Sequence, residues 1–211
     1  LTNFDNYTFP GLLLISSIRR ATRLNQQGHL YQETATLLKN YVPDVHNIPQ
    51  YILYFTHKAM GLYFEGQYEP ALAVLAQLDQ DITFKRHQVA LLEIKQLQLL
   101  MYVLLMKQEA FLQGYSSLQR QLRRMGKTNF MHTHYLLKFF KALVNYMHQR
   151  SQPEALRPEE TNHHEDRIRK FFIRIGRYAP KHQFCLITFA LQEKSLLKKL
   201  LQLPPTKWAD F

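Results

Sequence analysis

The chain has 211 residues, 46% of them hydrophobic and 20% charged, a composition that excludes a disordered chain and allows one sizeable core or a core with an appendage. Its most apolar uncharged stretch, residues 96–106, holds two glutamines and falls well short of the about 20 apolar residues a membrane-spanning helix needs. The net charge is +11 and all the excess is C-terminal: residues 1–106 carry 8 Lys/Arg and 8 Asp/Glu, residues 107–211 carry 19 and 8.

Residues 1–10 lack the basic n-region of a secretory leader, and no small-residue cleavage site follows the apolar run at 12–15. A start at Leu1 instead of Met leads to the expectation of a processed chain or a fragment, and the lack of leader and span to a cytoplasmic protein. Apolar spacing of period 3.6 then predicts a run of helices. The first covers about 11–26, with Leu14, Ile18, Ala21 and Leu24 on one face and Gly28 as its breaker; the second covers 31–41, with Leu30, Thr34, Leu37, Leu38 and Tyr41 aligned. Pro43 and Pro49 bracket a loop. Helices over 50–64 and 68–78 follow, separated at Gly66, then a long helix over 84–106, its partner over 108–125 ended by Gly126, and a seventh over 130–148.

Residues 150–162 are polar, with Pro153 and Pro158, and read as a linker or long loop; Thr161 or Asn162 is placed to cap the helix after it. A C-terminal helical pair is expected over about 163–178 and 183–203, stopped by Pro180 and by Pro204-Pro205, with 206–211 as a tail. Hairpin-turn dipeptides between alternating segments are missing, so the fold class is all-α.

Three segments place an aromatic three residues before a small residue near the start of a second helix: Tyr31-x-x-Thr34, Tyr68-x-x-Ala71 and Phe111-x-x-Gly114. In the second, small Ala59 and Ala71 let two helices approach where they cross. Gly66 permits a left-handed turn between them, and Tyr68 packs back from the second helix. Ala59, Leu62, Gly66, Tyr68, Ala71 and Leu75 together resemble the tetratricopeptide (TPR) pattern. The aromatics recur after 37 and 43 residues, against about 34 in regular TPR units. The resemblance implies a right-handed α-solenoid of TPR-like antiparallel helix pairs over 1–149, capped by the C-terminal pair. It implies a binding scaffold with no shared catalytic residues.

Charge adds rows of cations. Arg120, Arg123, Arg124 and Lys127 fall three and four residues apart on one predicted helix; Arg167, Lys170, Arg174 and Arg177 do so on the next basic one, and Lys194 and Lys198 on the last. Such rows either solubilise a face or attract nucleic acid, acidic protein or anionic lipid. Zinc-finger spacing, an RNP-type aromatic motif and a recognition-helix signature are all missing.

The lone Cys185, between Phe184 and Leu186, excludes an internal disulfide and reads as a buried thiol. Ten histidines invite a metal hypothesis, yet His163-His164-Glu165-Asp166 are adjacent, and His132 and His134 are two apart. Neither spacing places ligands on one helical face. No phosphate-cradling Gly-rich loop, Gly-x-Ser-x-Gly elbow or dinucleotide fingerprint is present, and Glu159-Glu160 is no acid–base pair by adjacency alone. The expectation is a non-enzymatic protein without cofactor or metal.

The leading functional reading is therefore an interaction scaffold binding a protein or peptide partner in a helical-repeat groove. Tyr51, Tyr54, Lys58 and Tyr63 are the groove candidates, and the same aromatics can serve as core. The runner-up is nucleic-acid binding through the basic C-terminal half.

Overall fold

A computed structural model describes residues 10–152, 158–178, 186–193 and 195–204, leaving aside the side chains of Lys127, Pro158 and Leu186. Every regular element among the described residues is helical. In chain order these are α1 (Gly11–Leu24), α2 (Leu30–Leu38), α3 (Ile48–Phe64), α4 (Tyr68–Asp81), α5 (Gln88–Leu104), α6 (Gln108–Met125), α7 (Met131–Arg150), α8 (Pro158–Tyr178), α9 (Leu186–Leu191) and α10 (Leu196–Leu201), with short 3-10 turns before α2, α5 and α7. The chain divides into two compact units, Leu1–Met101 and Tyr102–Phe211.

In the first unit α3 packs against both α2 and α4. Its sequence explains why: Tyr51, Ile52, Phe55, Ala59, Met60, Leu62 and Tyr63 are all buried, too many for one stripe, so the helix needs partners on two sides. Asn47 caps its start, and Pro49 lies in its first turn, where a missing N–H costs nothing. Pro49 therefore opens the helix and does not bound the loop. Gly61 sets the approach to α2, since a Cβ there would stand 3.2 Å from the Tyr31 Cα. In α1, Leu14, Ile18 and Ala21 are buried as expected, whereas Leu24 in the last turn is 58% exposed.

Three helices end in one recurring turn. Asn25, Gly66 and Met106 take positive φ (55°, 80° and 58°). In each case the next amide reaches back five residues: Gln26 to the Ala21 carbonyl at 2.8 Å, Gln67 to Leu62 at 2.9 Å and Lys107 to Tyr102 at 2.9 Å. The breaker after α1 is thus Asn25, not Gly28, because Asn tolerates the left-handed region and the helix has already closed its last carbonyls. The turns lie 41 and 40 residues apart. In this register Ala71 corresponds to Phe111: the amides of Ala71 and Phe111 bond the Gln67 and Lys107 carbonyls at 3.1 and 3.0 Å. Pairing Tyr68 with Phe111 from the sequence is therefore three residues out.

In the second unit α7 is the central helix. Leu136, Leu137, Phe139, Phe140, Leu143, Val144 and Met147 are buried, with Phe140 edge-on to Phe111 of α6 at 5.7 Å and Phe139 against Phe172 of α8 at 5.7 Å. Ile168 and Ile175 complete the α8 side. The Arg150 guanidinium donates to the Leu201 and Leu203 carbonyls, both at 3.1 Å, so this cation satisfies acceptors at the C-terminal end of α10. Two sequence expectations change here. α8 begins at Pro158, so 158–162 is helix and neither Thr161 nor Asn162 is a cap; proline suits a first turn. Where the sequence leads to one C-terminal helix, the described residues form two short ones, α9 and α10. Residues 153–157, Cys185, Lys194 and the 206–211 tail lie outside the described residues.

Candidate functional site

The four groove candidates of α3 separate on folding. Tyr51 is buried and donates to the Asp81 carboxylate at 2.6 Å; burial and that bond push its phenol up to about 12. Tyr63 is 2% exposed, with its ring 5.6 Å from Tyr68. Both are core, because α3 is covered on two sides. Tyr54 is half-buried against Tyr41 at 5.9 Å, and exposed Lys58 places its Nζ 6.0 Å from the Tyr54 ring. Of the four candidates, these two remain accessible.

The basic rows fare differently. Arg120, Arg123, Arg124, Arg167, Lys170, Arg174 and Arg177 are all exposed; Lys127 begins the 3-10 turn before α7 and its side chain lies outside the described residues. The α6 row covers an arc of about 100°, and Arg123 lies on the side of it that meets α7. There it borders a cleft of about 330 Å³ shared with Tyr115, Gln119 and Leu122 of α6 and His134, Leu137, Lys138 and Lys141 of α7. Tyr115 and Leu137 are buried and form an apolar floor, with the Tyr115 hydroxyl donating to the Leu137 carbonyl at 3.4 Å. The floor is uncharged because a phenol is neutral near pH 7, and burial raises the Tyr115 pKa further.

Lys138 and Lys141 were not singled out by spacing, and they complete the site. Because α7 is packed on two sides, it shows solvent only a narrow stripe, which runs from His134 through Lys138 and Lys141 to Asn145. A sequence signal for them exists: between Glu109 and Glu154 there is no Asp or Glu, so cations there meet no neighbouring acid along the chain. Among the described residues no carboxylate lies within ion-pair distance of Arg123, Lys138, Lys141, Arg167, Lys170, Arg174 or Arg177.

From the cleft the cations continue over aromatic rings onto α8. Lys138 Nζ is 5.6 Å from the Tyr135 ring and 6.0 Å from that of Phe171. The Arg174 guanidinium carbon is 5.4 Å from Tyr135, and that of Arg167 is 5.9 Å from Phe171. Tyr178 stacks on Tyr135 at 5.1 Å. Each contact is worth about 0.5–1 kcal/mol at an exposed site and fixes a cation in position while leaving N–H donors for an anion. Lys170 and Arg177 stand beside Arg167 and Arg174 in an arc of about 80°, along about 15 Å of helix.

Of the clustered histidines, His132 is buried, His134 and His164 are half-buried and His163 is exposed. His164 lies 6.2 Å from the Tyr146 ring, its pKa lowered by burial, then by His163 and Arg167. Glu165 accepts from Tyr146 at 3.2 Å and from Arg169 at 3.4 Å. Among the described residues no three His, Cys, Asp or Glu side chains converge as metal ligands, and no helix is long and apolar enough to cross a membrane. Comparison with protein families, curated proteins and solved structures finds no match to this chain.

Proposed function

We propose that this chain is a non-enzymatic binding module of TPR-like helix pairs, arranged as a right-handed solenoid and capped C-terminally, which binds nucleic acid through the basic face of its second unit. One observation carries the reading: Arg123, Lys138 and Lys141 rim a single cleft and continue into the α8 row, and among the described residues no carboxylate is within ion-pair distance of any of them. Cations held in place without carboxylate partners have their charge available to phosphates, and each phosphate they neutralise releases counterions. The turn that recurs after 41 and 40 residues supports the repeat reading.

The experiment is fluorescence anisotropy of labelled RNA and DNA over a salt series, with Arg123→Glu/Arg124→Glu as the charge-reversed control. Affinity should fall steeply with salt and be lost in the control. Binding that ignores both salt and charge reversal overturns the proposal.

A second reading, a protein or peptide partner at α3, keeps one specific support. Tyr54 and Lys58 offer an accessible ring beside a cation, a pairing suited to an acidic or aromatic peptide. Crosslinking to a discrete partner that is lost on Lys58→Glu tests it, and an unchanged crosslink counts against it.

A further inference from the structure

We infer that the α6–α7 cleft seats one nucleotide of a single strand, so that the module prefers single-stranded over duplex nucleic acid; this rests on the nucleic-acid reading above and names its ligand. The cleft has the two chemistries a nucleotide needs, side by side. Its floor, made by Tyr115, Leu122 and Leu137, is aromatic and aliphatic and accepts the face of a base. Its rim is cationic on both sides, with Arg123 on α6 and Lys138 and Lys141 on α7, and takes the phosphates that flank the base.

Size decides between strand forms. At about 330 Å³ the cleft sits at the small end of ligand-binding clefts, room for one base and its sugar. A duplex keeps its bases inside and can offer this surface only backbone. It therefore reaches the rim and leaves the floor empty. A single strand can turn one base out and fill both. The exit is also built: Lys138 faces the cleft and lies at the Tyr135 ring, next to Arg174, so a strand leaving past Lys138 meets the α8 cations.

An acidic peptide would satisfy the rim without using the floor, and the test separates the two. Short fluorescein-labelled oligouridylate, a blunt RNA duplex of equal length and polyglutamate are measured against the full chain and against Gln119→Trp. That substitution fills the cleft with neutral bulk from a half-buried position; Lys141→Gln serves as a second variant should the bulky one fail to fold by circular dichroism. Oligouridylate should bind at least tenfold tighter than duplex, and Gln119→Trp should remove roughly that tenfold, the effect of losing one stacked base. Lys141→Gln removes a rim cation that both forms reach, so it should weaken both, and binding of both forms unchanged in it overturns the rim assignment. Equal binding of strand and duplex, unchanged in both variants yet lost on Arg123→Glu/Arg124→Glu, overturns the cleft assignment and leaves nucleic-acid binding standing. Polyglutamate competing as well as oligouridylate, or no binding of either RNA at low salt, overturns both.

Discussion

His57 makes the first unit acid-sensitive in a way that can be calculated. Its ring is 2% exposed on α3, and Nδ1 lies 2.9 Å from the Leu53 carbonyl, an acceptor that requires the proton on that nitrogen. Burial disfavours the imidazolium and lowers the pKa from 6.5 to about 4, with the Leu53 bond opposing the shift. A folded-state pKa below the unfolded one means the unfolded chain binds the proton first. Its contribution is therefore complete above about pH 6.5 and is lost as pH falls through about 4. At about 1.4 kcal/mol per unit, the loss between about pH 7.5 and about pH 4.5 is on the order of 2–3 kcal/mol. Urea unfolding followed by circular dichroism at several pH values measures it, with His57→Leu as the comparison. The variant should be less stable at neutral pH by about 1–2 kcal/mol, through the lost hydrogen bond and altered packing. Its acid limb should be correspondingly flatter, because the carboxylates common to both proteins cancel. Parallel pH profiles for the two proteins would refute the assignment of a buried neutral imidazole.

The recurring turn predicts opposite signs for one kind of exchange: Gly66→Ala should destabilise by about 1 kcal/mol, and Met106→Gly should stabilise by up to about 1 kcal/mol. Both residues hold positive φ and only one lacks a Cβ, so thermal melts of the two variants check the pair. Tyr51, with its phenol raised to about 12 by burial and by Asp81, contributes stability present below about pH 10 and lost as pH rises through about 12. Ultraviolet titration should show several late-ionising tyrosines, the latest of which moves part of the way back in Asp81→Asn while burial still holds it up. On the basic face, Lys138→Gln/Lys141→Gln should flatten the slope of log affinity against log salt by about 1.4, at about 0.7 per single-strand phosphate contact. An unchanged slope in the anisotropy series would show that neither lysine meets a phosphate.

Periodicity alone determined that this chain is helical, where α6 starts and stops, and that Gly66 closes a helix in the left-handed region, because those features depend on residues a turn or two apart. The C-terminal location of the positive charge is likewise a property of composition. Burial was not local in this sense. Tyr51 and Tyr63 recur at helical spacing with Tyr54 and Lys58, and only the packing of α2 and α4 on both sides of α3 sent the first two inward. Asn25 and Met106 were illegible as turn residues, since the hydrogen bonds that close a helix end, not the side chain, impose their φ. The candidate site followed the same division. Arg123 was visible in a row of arginines, but Lys138 and Lys141 gained meaning once α6 and α8 covered the rest of α7, narrowing its solvent stripe to residues that face Arg123 across a cleft. A helix shows its pattern in sequence. Which side of that pattern meets water is fixed by the neighbours that dock against it.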